Sequence, residues 1–201
     1  LGQLLCGITQ AQQVEVTLNN GGVVKGETPS LSFYVDNDHE IIVKDKASGE
    51  KHDFTSTDVK EIKYYDKKAK ERMNWIPMVA QMGMSMSYKK EPKLYKNPIF
   101  LHPVYEGKNI SAYIHYISTA THVKSGSFYG FGIMYYYKAK NEDFARSYYL
   151  KENGITLGQK TMLKRYFQEY PQTKEVLKDL DMKEFRKDPA LFVKKLDEMI
   201  K

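Results

Sequence analysis

The stretch VTLNNGGVVKGE, residues Val16–Glu27, decides how the chain begins to fold. Together with Val14, its apolar residues Val16 and Leu18 alternate with polar ones, the period of a strand with one buried face. Asn19-Asn20-Gly21-Gly22 then reads as a turn, because Asn and Gly tolerate the positive φ of tight hairpins, and Val23-Val24-Lys25-Gly26 resumes the extended texture. The pattern predicts a hairpin and, around it, a β-rich module.

Toward the C-terminus, further strands are expected at Ser32–Val35, Ile41–Val43, His52–Phe54 and Ile62–Tyr65. Thr55-Ser56-Thr57-Asp58 supplies capping oxygens for one helical turn before the last of them. Short strands with one late helical turn within residues 13–66 fit a small SH3-like or Sm-like β-barrel.

VTLNNGGVVKGE followed by FTSTDVKEIKYY, Phe54–Tyr65, resembles the small β-barrel module near the N-terminus of many uncharacterised exported proteins of Bacteroidetes-type bacteria. The shared pattern is strand, Asn-Gly turn, Val-x-Gly, and a closing Asp58-Val59-x-x-Ile62. Leu18, Gly22 and Gly26 also resemble Sm-like RNA-binding barrels, but the Asp-x-x-Asn and Arg-Gly stretches that hold RNA there have no clear counterpart. Nucleic acid is therefore not an expected partner.

Upstream, Leu1, Leu4, Leu5, Cys6 and Ile8 resemble the end of an export signal, with Thr9-Gln10-Ala11 placing small residues where a signal peptidase reads. The expectation is a signal remnant over residues 1–11, a mature chain starting at Gln12, and location in the periplasm or at the cell surface. An ordinary apolar first element is the alternative; lipidation of Cys6 ranks lower because Leu5 is bulky where a small residue is expected. Cys6 is the only cysteine, so intrachain disulfides and cysteine-ligated metal centres are excluded.

The 201 residues are 41% hydrophobic and 28% charged, enough to bury a core, and no apolar run approaches the roughly 20 residues of a membrane-spanning helix. The net charge of +6 permits anionic partners. Lys67, Lys68, Lys70 and Arg72, and further on Lys89, Lys90, Lys93 and Lys96, read as solvated surface, with phosphate or headgroup binding as the alternative.

Over residues 73–150 the texture predicts a tyrosine-rich antiparallel sheet, as in ISAYIHYIS and SFYGFGIMYYYKAK. Tyr113, His115 and Ile117 share one strand face, and Ile114 and Tyr116 the other. Over residues 155–201 the period turns helical: Thr156 caps a first helix that Pro171 stops, Thr173 begins a second, and Asp188-Pro189 starts a third with Phe192, Leu196, Met199 and Ile200 as its apolar stripe. LKRYFQEYPQTKEVLKDL, Leu163–Leu180, resembles the helical tails of the same exported proteins. The whole is expected to be α+β: barrel, central sheet, and a helical tail packed on the sheet.

Candidate chemistry is sparse. Met82, Met84 and Met86 at alternate positions could converge on Cu(I) or Ag(I), which select thioethers, or could line a buried strand face. His102, His115 and His122 match no zinc motif, and YVDNDHE, Tyr34–Glu40, lacks the EF-hand glycine and distal glutamate. No serine elbow, phosphate loop or Ser-x-x-Lys arrangement stands out. Aromatic and imidazole groups that could anchor a ligand are Trp75, Tyr113, His115, Tyr135 and Tyr137. The leading reading is an exported envelope protein acting as a non-catalytic binding or structural module, with no cofactor and an envelope protein or surface ligand as partner. The alternatives are a hydrolase using the Tyr and His side chains of the sheet, and soft-metal binding at the methionines.

Overall fold

The computed structural model describes residues 12–28, 39–65, 71–84, 88–123, 126–151 and 159–200. The expected signal remnant, the strand at Ser32–Val35, Lys67, Lys68, Lys70, Met86 and the Thr156 cap lie outside them. Within the described residues are ten strands: β1 (Gln12–Leu18), β2 (Val23–Thr28), β3 (Glu40–Asp45), β4 (Lys51–Thr55), β5 (Val59–Tyr65), β6 (Glu71–Met78), β7 (Ile99–Tyr105), β8 (Ile110–Val123), β9 (Gly126–Ala139) and β10 (Arg146–Lys151). Four helices follow: α1 (Gln159–Tyr166), α2 (Thr173–Asp179), α3 (Met182–Lys187) and α4 (Ala190–Met199). The class is α+β, a mostly antiparallel sheet with C-terminal helices. Among the described residues, no helix is long and apolar enough to cross a membrane. The chain divides into two compact units, residues 1–78 with 97–102 and residues 79–96 with 103–201.

In the first unit the hairpin forms as the alternation dictates. Val14 pairs with Gly26 and Val16 with Val24, while Gly21, at φ 86°, and the Asn20 side chain, which accepts the Gly22 N–H at 2.9 Å, shape the turn. Gly26 is required by a close approach: a Cβ there would overlap the Lys44 carbonyl oxygen of β3. β1 also pairs with β5, and the strand order is β6-β5-β1-β2-β3-β4. Asp58 closes the turn before β5, its carboxylate accepting the Thr55 N–H at 3.0 Å. The inward faces bring Val16, Ile41, Val43 and Ile62 to zero exposure.

The sheet is not closed. The far edge of β5 is taken by β6, with Ile62 opposite Trp75, so that edge is not available to complete a ring with β4.

The second unit is a helix layer on a sheet. β8 and β9 form a hairpin of two 14-residue strands, in register from Ile110↔Ala139 to Val123↔Gly126, and β10 adds to β9 with an irregularity between Ser147 and Tyr149. One sheet face, carrying Ala112, Ile114, Tyr135 and Tyr137, packs with Tyr148 and Tyr149 against Leu163, Phe167, Phe185 and Phe192 of the helical region. The Asp188-Pro189 signal opens α4 as the sequence predicts, Asp188 accepting the Ala190 N–H at 3.1 Å. α3 is capped likewise by Asp181, which accepts the Lys183 N–H at 2.7 Å.

Candidate functional site

The candidate residues fall in separate places. Trp75 lies in the first unit, 1% exposed, with its ring centroid 5.7 Å from that of His102. His102 in turn lies 2.7 Å through Nδ1 from the Asn74 carbonyl oxygen. Tyr113 and His115 stand on one face of β8, opposite Tyr136 and Met134 of β9, and all four are buried. Tyr135 and Tyr137 belong to the other face, opposite Ile114 and Ala112, inside the helix-facing core. The sheet thus brings Tyr113 together with His115, and Tyr135 with Tyr137, but keeps the two pairs apart because adjacent β positions point to opposite faces.

Two tyrosine hydroxyls of the helix-facing side serve the chain's own backbone. Tyr137 donates to the Tyr166 carbonyl at 3.0 Å, satisfying an acceptor at the end of α1, and Tyr148 donates to the Pro189 carbonyl at 3.0 Å, just ahead of α4. Their rings pack edge-on and tilted around Phe167, with centroids 4.3 Å from Tyr137 and 5.5 Å from Tyr148. Burial raises the pKa of both far above the ordinary tyrosine value and pushes Tyr135 up to about 12. These hydroxyls stay protonated, which makes them hydrogen-bond donors and poor bases.

Of the three methionines, Met82 and Met84 lie among the described residues and Met86 does not. Gly83 between Met82 and Met84 takes φ 62°, a left-handed conformation that interrupts the alternation. Met82 is consequently 41% exposed, while Met84 packs against the helix-facing core. Among the described residues, no three His, Cys, Asp or Glu side chains gather as a metal-binding group.

Two polar knots organise the second unit instead. Around Asp197 of α4, Oδ1 accepts the N–H groups of Asn109 at 2.7 Å and Ile110 at 3.0 Å. Oδ2 accepts the Lys108 N–H at 3.0 Å and the Tyr105 hydroxyl at 2.8 Å. Gly107 completes the fit, since a Cβ there would overlap both the Ile110 carbonyl and Asp197 Oδ2. Burial works to raise the Asp197 pKa, but the hydrogen bonds from Asn109, Tyr105, Lys108 and Ile110 outweigh it and hold the carboxyl below its ordinary value. Burial, followed by the bond to Asp197, pushes Tyr105 up to about 12.

The second knot centres on Arg146 at the start of β10. Its Nε donates to Glu142 Oε1 at 2.7 Å, Nη1 to the Lys89 carbonyl at 2.9 Å and Nη2 to the Lys90 carbonyl at 3.1 Å. The guanidinium also lies over the rings of Phe144 and Tyr88, 4.5 and 5.2 Å from their centroids. A cavity of about 510 Å³ opens beside the turn after β9, lined by Asn109, Lys140, Glu142, Glu169 and Tyr170 among others.

Neither knot is singled out by sequence motifs. Asp197 did carry a signal, lying four residues after Val193 and one after Leu196, on the apolar side of a helix where a charge needs partners. Arg146 stands between Ala145 and Ser147, and apart from Glu142 four residues earlier its hydrogen-bond partners, the Lys89 and Lys90 carbonyls, are distant in sequence, so no local pattern announces them. No family model, no curated protein and no solved structure matches the chain.

Proposed function

We propose that the protein is an exported cell-envelope component acting as a non-catalytic binding or structural module. The observation that carries this reading is where the polar side chains of the second unit direct their hydrogen bonds. Asp197, Arg146, Tyr137 and Tyr148 all bond to carbonyl or N–H groups of the chain itself. These four side chains are thereby engaged in holding helices and a loop to the sheet. Export rests on the apolar opening stretch ending at Thr9-Gln10-Ala11 and on the confinement of the only cysteine to it. Within the first unit, the order β5-β1-β2-β3-β4 with a turn just before β5 is compatible with an SH3-like module that has opened to admit β6.

Fractionation of cells producing the natural precursor, with N-terminal analysis of the recovered chain, tests the reading. The expected result is an envelope-associated protein beginning at Gln12. A cytosolic chain that retains Leu1–Ala11 would overturn the export part.

A further inference from the structure

Residues Tyr88–Lys96 read YKKEPKLYK, four lysines and one glutamate within nine residues. Lys89, Lys90, Lys93 and Lys96 are all exposed. Exposed lysines on a loosely held loop make only a diffuse charge, but the backbone beneath these is fixed at several points. Arg146 draws the Lys89 and Lys90 carbonyls inward. Further along, the Met82 N–H donates to the Lys93 carbonyl at 2.8 Å and the Tyr95 N–H to the Ala80 carbonyl at 3.0 Å, flanking an antiparallel bridge between Gln81 and Leu94.

That register makes Met82 and Lys93 cross-strand neighbours on one face, with Gln81 on the other. The exposures agree: Met82 is 41% exposed and Gln81 only 6%. A lone exposed apolar side chain is ordinary. Beside an ammonium group, on a fixed backbone carrying three more, it matches a bilayer interface, where lipid phosphates meet cations and the acyl boundary takes up apolar side chains. Among nearby acids, Glu142 is paired with Arg146, the exposed Glu169 lies beside the Tyr88 hydroxyl, and Glu91 is exposed within the loop.

We propose that Met82 and residues 88–96 form a docking surface for an anionic bilayer, with Lys89, Lys90, Lys93 and Lys96 against lipid phosphates and Met82 entering the interface. This deepens the binding-module reading by naming its partner, and rests on it. A nucleic acid fits less well. The patch holds no arginine for bidentate recognition, and its two aromatic rings, Tyr88 and Tyr95, are only partly exposed.

Co-sedimentation of the purified chain with vesicles tests the proposal, using mixed phosphatidylglycerol and phosphatidylcholine against phosphatidylcholine alone. The expected result is binding to the mixed vesicles only, lost at high salt. A lysine near an anionic surface is worth roughly fivefold in partition, so Lys89→Gln with Lys90→Gln should lower binding roughly thirtyfold, as should Lys93→Gln with Lys96→Gln. Met82→Ser should weaken it several-fold more mildly. Thermal melts matching the parent chain certify that these surface variants fold. Equal binding to neutral vesicles overturns the proposal, as do unchanged partition in both lysine pairs or tighter binding to a single-stranded oligonucleotide than to vesicles. Vesicle failure in a chain that still fractionates with the envelope removes only the docking surface; vesicle binding by a cytosolic chain removes only the envelope reading.

Discussion

Asp197 shows how much structure one side chain can hold. Its two oxygens take three backbone N–H groups and a tyrosine hydroxyl from the stretch between the end of β7 and the start of β8, tying α4 to the sheet. Asp197→Ala strands those donors in a site that is only 8% exposed. Unsatisfied buried donors cost about 1–3 kcal/mol each, so a loss above about 3 kcal/mol in denaturant titration is expected. The pH sign follows from the lowered pKa: the carboxylate's contribution is complete above the unfolded aspartate value near 3.9 and is lost as pH falls through the lower folded value. The gap in melting temperature between the parent chain and Asp197→Asn should therefore narrow as pH drops from neutral to about 3. For the tyrosines, Tyr137→Phe and Tyr148→Phe keep the rings and remove one bond each, leaving a carbonyl unpaired. About 1 kcal/mol apiece is expected, read by the same titration.

At the scale of elements, strands and helices were legible where the signal is local. The alternation at Val14–Leu18, the Asn20-Gly21 turn and the Asp188-Pro189 start all appear at their expected places. What was not legible depends on distant partners or on one backbone angle. The Met-x-Met spacing assumes an extended backbone, and between Met82 and Met84 the φ of Gly83 departs from it. Closure of a barrel is expected from five strands alone, whereas β6 occupies the edge of β5 that closure would use. Arg146 belongs to the same class of hidden determinant, since the two carbonyls it holds, beyond Glu142 four residues away, lie more than fifty residues off, at |i−j| of 57 and 56. Arg146→Lys keeps the charge but cannot reach Glu142 and two carbonyls in one plane. Amide exchange at Gln81, Met82 and Tyr95 should accelerate roughly tenfold or more in that variant, following the loss of about 1.4 kcal/mol or more of local stability. Exchange in β1–β5 should not change. Uniform acceleration through both units would instead mean that Arg146 supports global stability and does not anchor the loop in particular.

At the scale of the whole molecule, a chain with net charge +6 presents two units with different characters. The first buries aliphatic strand faces around Val16, Ile41 and Ile62; the second buries tyrosines and phenylalanines between sheet and helices. The density of tyrosine over residues 110–150, which suggests a ligand surface in the sequence, is largely explained by this packing wherever side chains are described. The central claim, that the protein works by holding a partner rather than by transforming a substrate, is tested most directly by cross-linking it in its native envelope and identifying by mass spectrometry what it contacts. The account predicts reproducible cross-links to lipid or envelope protein that diminish when Lys89, Lys90, Lys93 and Lys96 are all replaced by glutamine. Recovery of the parent chain without any cross-linked partner would contradict it.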